Sequence, residues 1–285
     1  MTSSTADSSN AYFLDRNWQS NARLSLQHFL CKLRMGYLLH PKVEDHIRSR
    51  TTPPRILDLG TGTGIWAVEA ARAYPSAIIT GLDIADNQFP PPGTLPKQLT
   101  FSRYSFFEPV PAEFVGQFDV VHISFITAAL FRGGRDTVIK HITEFLKPGG
   151  YLQWREIINE PNLVIDPVTL QKDPSPLKSM AYAEKWTGYM KAQAWTKDMP
   201  QVLAEVGGFE QTEMVVPPLQ PELLNLETQL LLWNSHEFLN ALPKAIGSEE
   251  AFAESKEAIE DTEARVKDGK MLHWQFMVGI GRKPE

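Results

Sequence analysis

Two aspartates and three glycines are the residues of this chain best spaced for chemistry. Asp58 stands two residues ahead of the turn Gly60-Thr61-Gly62-Thr63-Gly64, and Asp83 closes the apolar run Ile78 to Leu82. A glycine-rich turn from a strand into a helix lets a ligand come closer than a Cβ permits, and it presents N–H groups at the helix N-terminus. The G-x-G-x-G spacing differs from a dinucleotide fingerprint, whose third glycine would fall at Ile65. Asp58 differs further, because an acid there repels a pyrophosphate and suits a cationic amine. An acid at the tip of the second strand can accept both hydroxyls of a ribose, and its plain alternative is a cap on the next element. Together these residues ask for a nucleoside joined to an amino acid.

The elements that must position them alternate between strand and helix. Ile56, Leu57 and Leu59 form a short apolar strand between Pro53-Pro54 and the glycines, and Ile65 to Tyr74 has helical spacing until Pro75. Leu99 to Tyr104, Phe118 to Ser124 and Tyr151 to Ile157 read as the third, fourth and fifth strands, with a helix over Asp136 to Leu146. Ligands bind beyond the carboxyl ends of such strands, which brings His122 to Ser124 and Trp154 to Glu156 near the site. Ahead of the sheet, Asn21 to Leu39 carries a helical stripe of Leu26, Phe29, Leu30, Leu33, Tyr37 and Leu38. Beyond Ile157 a proline-broken connection leads to a helix at about 177–195. We read it as a lid whose Met180, Trp186, Tyr189, Met190 and Trp195 cover an apolar substrate, with ordinary packing as the alternative. A helix over Pro200 to Val206 and a sixth strand over Phe209 to Val216 follow, then helices near Glu222 to Leu242 and Glu249 to Lys267. Alternating apolar positions make Met271 to Gly281 the last strand.

The pieces "LDLGTGTG", "GLDIA", "FDVVHIS" and "FLKPGGYLQWRE" resemble the class I S-adenosylmethionine-dependent methyltransferases in order and spacing. The resemblance implies an α/β, Rossmann-like sheet of seven strands, the last antiparallel, with a helical N-terminal arm and helical lid insertions. It implies S-adenosyl-L-methionine as cofactor. By resemblance, Asp58, Gly60, Thr61, Gly62 and Gly64 line the methionine end, Asp83 holds the ribose and Ile84 packs on adenine. Ser105, followed by Phe106, occupies the place where the family often carries an acid or amide for the adenine amino group. Ser124 ends the fourth strand beside the site.

Outside that core, "YFLDR", "ARLSLQH", "GYLLHP" and "LQWRE" resemble the fungal LaeA-like group of small-molecule methyltransferases. That likeness implies an arm folded over the cofactor, with Tyr12 and Arg23 as contacts to its carboxylate or adenosine. For Arg23 the alternative is a surface ion pair. The layout is then a disordered tail over 1–10, the arm over 11–50 and the cofactor-binding core over 51–157. A lid follows over 158–200, and 201–285 completes the sheet domain.

Composition agrees with an enzyme. The chain's 285 residues, 42% of them hydrophobic, suffice for a full core. A net charge of −6 without a basic stripe disfavours nucleic acid. Cys31 is the only cysteine, which excludes an intramolecular disulfide, and its place in an apolar helical pattern points to packing. With no H-E-x-x-H motif or Cys/His cluster, a catalytic metal is not expected. No apolar run suits a bilayer, and the polar start "MTSSTADSSN" is unlike a signal peptide, so a cytoplasmic location is expected.

The chemistry asks for little beyond positioning. The sulfonium already makes the methyl group electrophilic, so a base matters only for a weakly acidic acceptor. A thiol with a pKa of about 8.5 needs less help than a phenol near 10. Glu156 at the end of the fifth strand, His122 on the fourth and His236 on a later helix are the candidate bases. Glu156 reads equally as an ion pair with Arg155, and each histidine as a hydrogen-bonded structural residue. The LaeA-like resemblance takes in enzymes that S-methylate dithiols of the epipolythiodioxopiperazine, gliotoxin type, and because no acid–base pair stands out, that reduced dithiol is the favoured acceptor. O- or N-methylation of another natural product is the runner-up. A LaeA-like regulator is a further reading, disfavoured by the short polar tail and the lack of a basic run. A nicotinamide oxidoreductase is disfavoured by Asp58 and the displaced third glycine.

Overall fold

The structure is a computed structural model that describes residues 14, 16–130, 133–158, 160 and 163–285. The tail over 1–10 and Tyr12 lie outside the described residues. The first helix, α1 (Trp18–Met35), starts where the Asn17 side chain accepts the Ser20 N–H at 3.0 Å. It stops at Gly36, whose φ of 75° and N–H bond to Lys32 O close the last turn. The arm helix therefore ends short of the expected Leu39. Pro41 at its first turn opens α2 (Pro41–Arg48).

The central sheet is built from β1 (Arg55–Leu59), β2 (Ile78–Asp83), β3 (Leu99–Arg103), β4 (Phe118–Ser124), β5 (Leu146–Ile157), β7 (Glu210–Val215) and β9 (Phe276–Arg282). Their order is β3-β2-β1-β4-β5-β9-β7. β9 runs antiparallel to both β5 and β7, and the other pairings are parallel. A short separate pair joins β6 (Val164–Ile165) to β8 (Met271–Leu272).

Strands buried on both faces need helices on both. On one face Val43 and Ile47 of α2 and Trp66 and Ala67 of α3 (Ile65–Ala73) pack on Ile56, Ile79 and Val120. The adjacent positions Leu57, Val121 and Leu152 point the other way. They meet Val138 and Ile142 of α5 (Arg135–Phe145), which follows the one-turn α4 (Thr127–Leu130), and Leu203 of α8 (Met199–Gly207). A third cluster joins Leu30 and Cys31 of α1, Leu230 and Leu231 of α9 (Leu224–Ile246), and Leu272. The last long helix, α10 (Glu249–Lys267), packs on α9 and on α6 (Lys178–Thr187).

Two expectations change. The single lid helix is broken at Gly188, φ 63°, into α6 and the one-turn α7 (Tyr189–Ala192). The expected last strand, Met271 to Gly281, is interrupted between β8 and β9. There the buried Glu227 of α9 takes the Trp274 N–H at 3.1 Å and faces His273 Nδ1 at 3.1 Å, which pulls this backbone out of the ladder. No described helix is long and apolar enough to cross a membrane.

Candidate functional site

The β1–α3 turn carries the glycines in left-handed backbone, with φ 72° at Gly60, 54° at Gly62 and 73° at Gly64. The Gly60 and Thr61 N–H groups bond to Leu82 O, so the turn is held onto the end of β2. A Cβ on Gly60 would stand 3.2 Å from Ile126, and one on Gly62 3.7 Å from Leu24. All four residues line one cavity, with Asp58, Thr61, Thr63, Asp83, Ile84, Phe106, His122 and Ser124. The Asp83 carboxylate accepts the Gly62 N–H at 2.8 Å and the Ala85 N–H at 2.9 Å, one on each oxygen. Burial pushes its pKa above the usual carboxylate range, against the pull of these two amides.

Register places Asp58 beside His122 on the neighbouring strand. Asp58 Oδ1 stands 2.8 Å from His122 Nδ1, and Oδ2 accepts the Thr61 hydroxyl. His122 is buried, and burial outweighs the attraction of Asp58, so its pKa falls below 6.5. A neutral ring that donates from Nδ1 leaves Nε2 as an acceptor, and that atom has no hydrogen-bond partner among the described residues.

The second cavity shares Leu24, Gln27 and Phe125 with the first. Its other walls include Met180 and Tyr189 from the expected lid, Trp274, Glu156, and Arg23, Asn234 and Glu237. Phe125 forms the septum in a left-handed conformation, φ 54°, that costs a bulky residue about 1–3 kcal/mol. Its N–H donates to Arg155 O at 2.9 Å, and its ring lies parallel to Trp274 at 5.4 Å between centroids. Glu156 secures the residues that follow. Its carboxylate accepts the Ile126, Thr127 and Ile157 N–H groups, the Thr127 hydroxyl and the Trp154 indole N–H, at 3.0 to 3.3 Å. Burial nonetheless pushes its pKa up to about 7.

Several assignments made from the sequence shift. Ser105 is buried and does not line the first cavity; its hydroxyl faces the Phe107 N–H at 3.4 Å, and Phe106 lines the wall instead. Arg23 lines the second cavity, where it pairs with Glu237 and donates to Asn234 at 2.9 Å and Gln27 at 3.2 Å. The pair is buried, not on the surface. His236 lines neither cavity and stands 2.9 Å from Glu263. Glu156 does not pair with Arg155. Of the lid residues, Trp186 donates to Glu254 at 2.8 Å and Trp195 packs edge-on against Trp154, so neither covers the pocket. Sequence reasoning missed Leu24, Gln27 and His28 of α1, which lie in or beside "ARLSLQH", and although it brought Arg155 near the site with the end of the fifth strand, it gave that residue no contact of its own there. Among the described residues no group of three or more His, Cys, Asp or Glu could hold a metal ion.

A mixed seven-stranded sheet, a glycine turn over the end of β1 and an acid ending β2 define a class I S-adenosylmethionine-dependent methyltransferase domain. Residues 57–152 match the methyltransferase domain family. Over 145 residues the chain is 35% identical to the N-methyltransferase tcpN of Claviceps purpurea, covering 50% of each chain. Over 159 residues it is 33% identical to the methyltransferase grgD of a Penicillium species, covering 52% of this chain and 53% of that one. The matches span about half the length of these curated relatives. Phosphoethanolamine N-methyltransferase 2 of Haemonchus contortus shares the fold, with a TM-score of 0.52 at 13% identity over 99% of this chain and 61% of that one. Over 137 residues the chain is also 32% identical to the secondary metabolism regulator laeA of Aspergillus flavus, covering 48% of this chain and 33% of that one, and S-adenosylmethionine is the cofactor of the matched domain.

Proposed function

We propose that the protein transfers the methyl group of S-adenosylmethionine to an amine nitrogen of a small, largely apolar secondary metabolite. The observation that carries this reading is the pair of cavities on either side of Phe125, one lined by Asp58 and Asp83 and the other by apolar side chains and carboxylates. The cofactor supplies an electrophilic methyl when bound. The chain's own residues orient the two reactants across a septum of Leu24, Gln27 and Phe125, and such positioning is worth about 7–11 kcal/mol.

The charge of the second cavity separates the acceptors. Arg23 is the one cation among its described lining residues, and Glu237 already engages it. A thiolate or phenolate would therefore meet no unengaged cation and would face Glu156. A neutral amine needs no base before it attacks, and the ammonium it becomes is stabilised by those carboxylates. Glu156, its oxygens occupied by five donors, is a positioning residue for the 125–128 turn. The N-methyltransferase relative agrees with this choice.

Mass spectrometry of the purified protein with S-adenosylmethionine and an acceptor panel tests the reading. The panel comprises a cyclic secondary amine, a reduced cyclic dithiol and a phenol, each on an apolar ring system. Methyl addition to the amine is expected. Methylation of the dithiol alone would restore the thiol acceptor expected from the sequence, and turnover of none with bound cofactor would overturn the small-molecule reading.

A further inference from the structure

We infer that Arg155 is the anchor for the carboxylate of the cofactor's methionine moiety, an inference that rests on the S-adenosylmethionine reading of the first cavity. Arg155 leaves β5 near its carboxyl end, is buried at 7% exposure, and lines that cavity. Its Nε donates to Ser124 Oγ at 2.9 Å, one Nη lies 3.5 Å from His28 Nδ1, and the guanidinium stands 5.5 Å from the centre of the Phe125 ring. Each of these partners is neutral. His28 is held uncharged, its pKa lowered to about 4 by burial first and by Arg155 second, while Glu69 opposes.

No carboxylate among the described residues forms an ion pair with Arg155. Glu69 is taken by His28 and Lys32, and Asp58 by Thr61 and His122. A buried guanidinium without a counter-charge is costly, and its fork of N–H donors matches a carboxylate in two-point geometry. The same cavity carries the acid Asp58, and the buried His122 Nε2, without a partner among the described residues, is an acceptor on its wall. A cation and an acid that do not neutralise each other complement a zwitterion, with carboxylate on Arg155 and ammonium on the Asp58–His122 side. Arg16, the other cation lining the cavity, lies near Asp83 and pulls on its titration, which puts it at the ribose end.

The test is a binding cycle by calorimetry, with S-adenosylmethionine and decarboxylated S-adenosylmethionine against the wild type, Arg155→Met and Arg155→Lys. Loss of a charged hydrogen bond corresponds to about a 10- to 100-fold loss of affinity. Wild type is expected to bind the decarboxylated form that much more weakly, and Arg155→Met to bind both forms at that weaker level. Arg155→Lys, which keeps the charge and loses the fork, should fall between. Equal affinity of wild type for the two ligands would overturn the assignment without any variant. So would an Arg155→Met protein that weakens both ligands alike, since the cycle then shows no coupling. A wild type that binds neither ligand would overturn the cofactor reading, and this inference with it.

Discussion

His122 lies flat on the indole of Trp66, with ring centroids 3.8 Å apart and planes 3° from parallel. The stack fixes the imidazole plane, and in that plane Nδ1 meets Asp58 at 2.8 Å. A ring held neutral, donating to an acid of the cofactor cavity and absent from the acceptor cavity, orients Asp58 rather than deprotonating an acceptor. His122→Phe keeps the stack and removes the donor. Asp58 Oδ1 then lacks its partner while Oδ2 keeps Thr61, which costs about 1–3 kcal/mol. Urea denaturation reads this loss directly, and unchanged stability would mean that Thr61 and solvent suffice for Asp58.

Asp83→Ala removes the acceptor of the Gly62 and Ala85 N–H groups and, with it, the ribose partner that the resemblance implies. Cofactor affinity by calorimetry should fall by at least one charged hydrogen bond, about 1.5–3 kcal/mol. Unchanged affinity would leave Asp83 as a support for the glycine turn alone.

Gly64→Ala tests the third glycine. Its φ of 73° disfavours any Cβ by about 1–2 kcal/mol. The new methyl would also stand 2.5 Å from Cζ of Phe101, an overpacking that costs about 1–3 kcal/mol more. Adding Phe101→Leu should recover part of the second cost and none of the first. A double variant no more stable than Gly64→Ala would show that the backbone conformation alone needs this glycine.

The parts of the site legible in the sequence are those fixed by local structure. Asp58, Asp83 and the glycines lie at strand ends and in one turn, where an apolar run, its boundary and the next helix start set their place within a few residues. His122 was placed near the site by the same logic, as a residue near the end of the fourth strand, and the strand register then sets it beside Asp58. Ser105 failed because β3 ends at Arg103 and the chain turns, Tyr104 N–H bonding to Asp83 O and Ser105 Oγ facing inward to Phe107 N–H. Of the second cavity, Met180, Tyr189 and Glu156 were legible and the wall built by α1 and α9 was not. Its Arg23–Glu237 pair joins residues 214 apart in sequence, and no periodicity records which face of α9 meets α1. The break at His273 and Trp274 has the same origin, since a distant Glu227 overrides an alternating pattern that otherwise reads as one strand.

Arg23→Met distinguishes the two cavities. Because Arg23 lines the acceptor cavity and pairs with Glu237, its loss should leave the S-adenosylmethionine Kd within about threefold and raise the acceptor KM by about tenfold or more. A cofactor Kd that weakens tenfold with KM unchanged would return Arg23 to the cofactor contact expected from the sequence.

Stability against pH carries two buried groups of opposite sign. His28 titrates at about 4 in the folded protein against its ordinary 6.5, so between these values the unfolded chain binds the proton and the folded one does not. That term raises stability as pH rises from 4 to 6.5. Glu156 titrates at about 7 against its ordinary 4.5, so the folded protein holds a proton that the unfolded chain has lost. That term lowers stability as pH rises from 4.5 to 7, and each is worth up to about 3 kcal/mol across its window. Between pH 4.5 and 6.5 the two oppose each other, and removing one exposes the other. Relative to wild type, His28→Gln should lose stability as pH is raised through this interval, and Glu156→Gln should gain it, whatever constant cost each variant carries. Urea denaturation at pH 4.5, 5.5 and 6.5 reads the slopes, and parallel profiles for all three proteins would show that neither group titrates in the folded state as its burial requires.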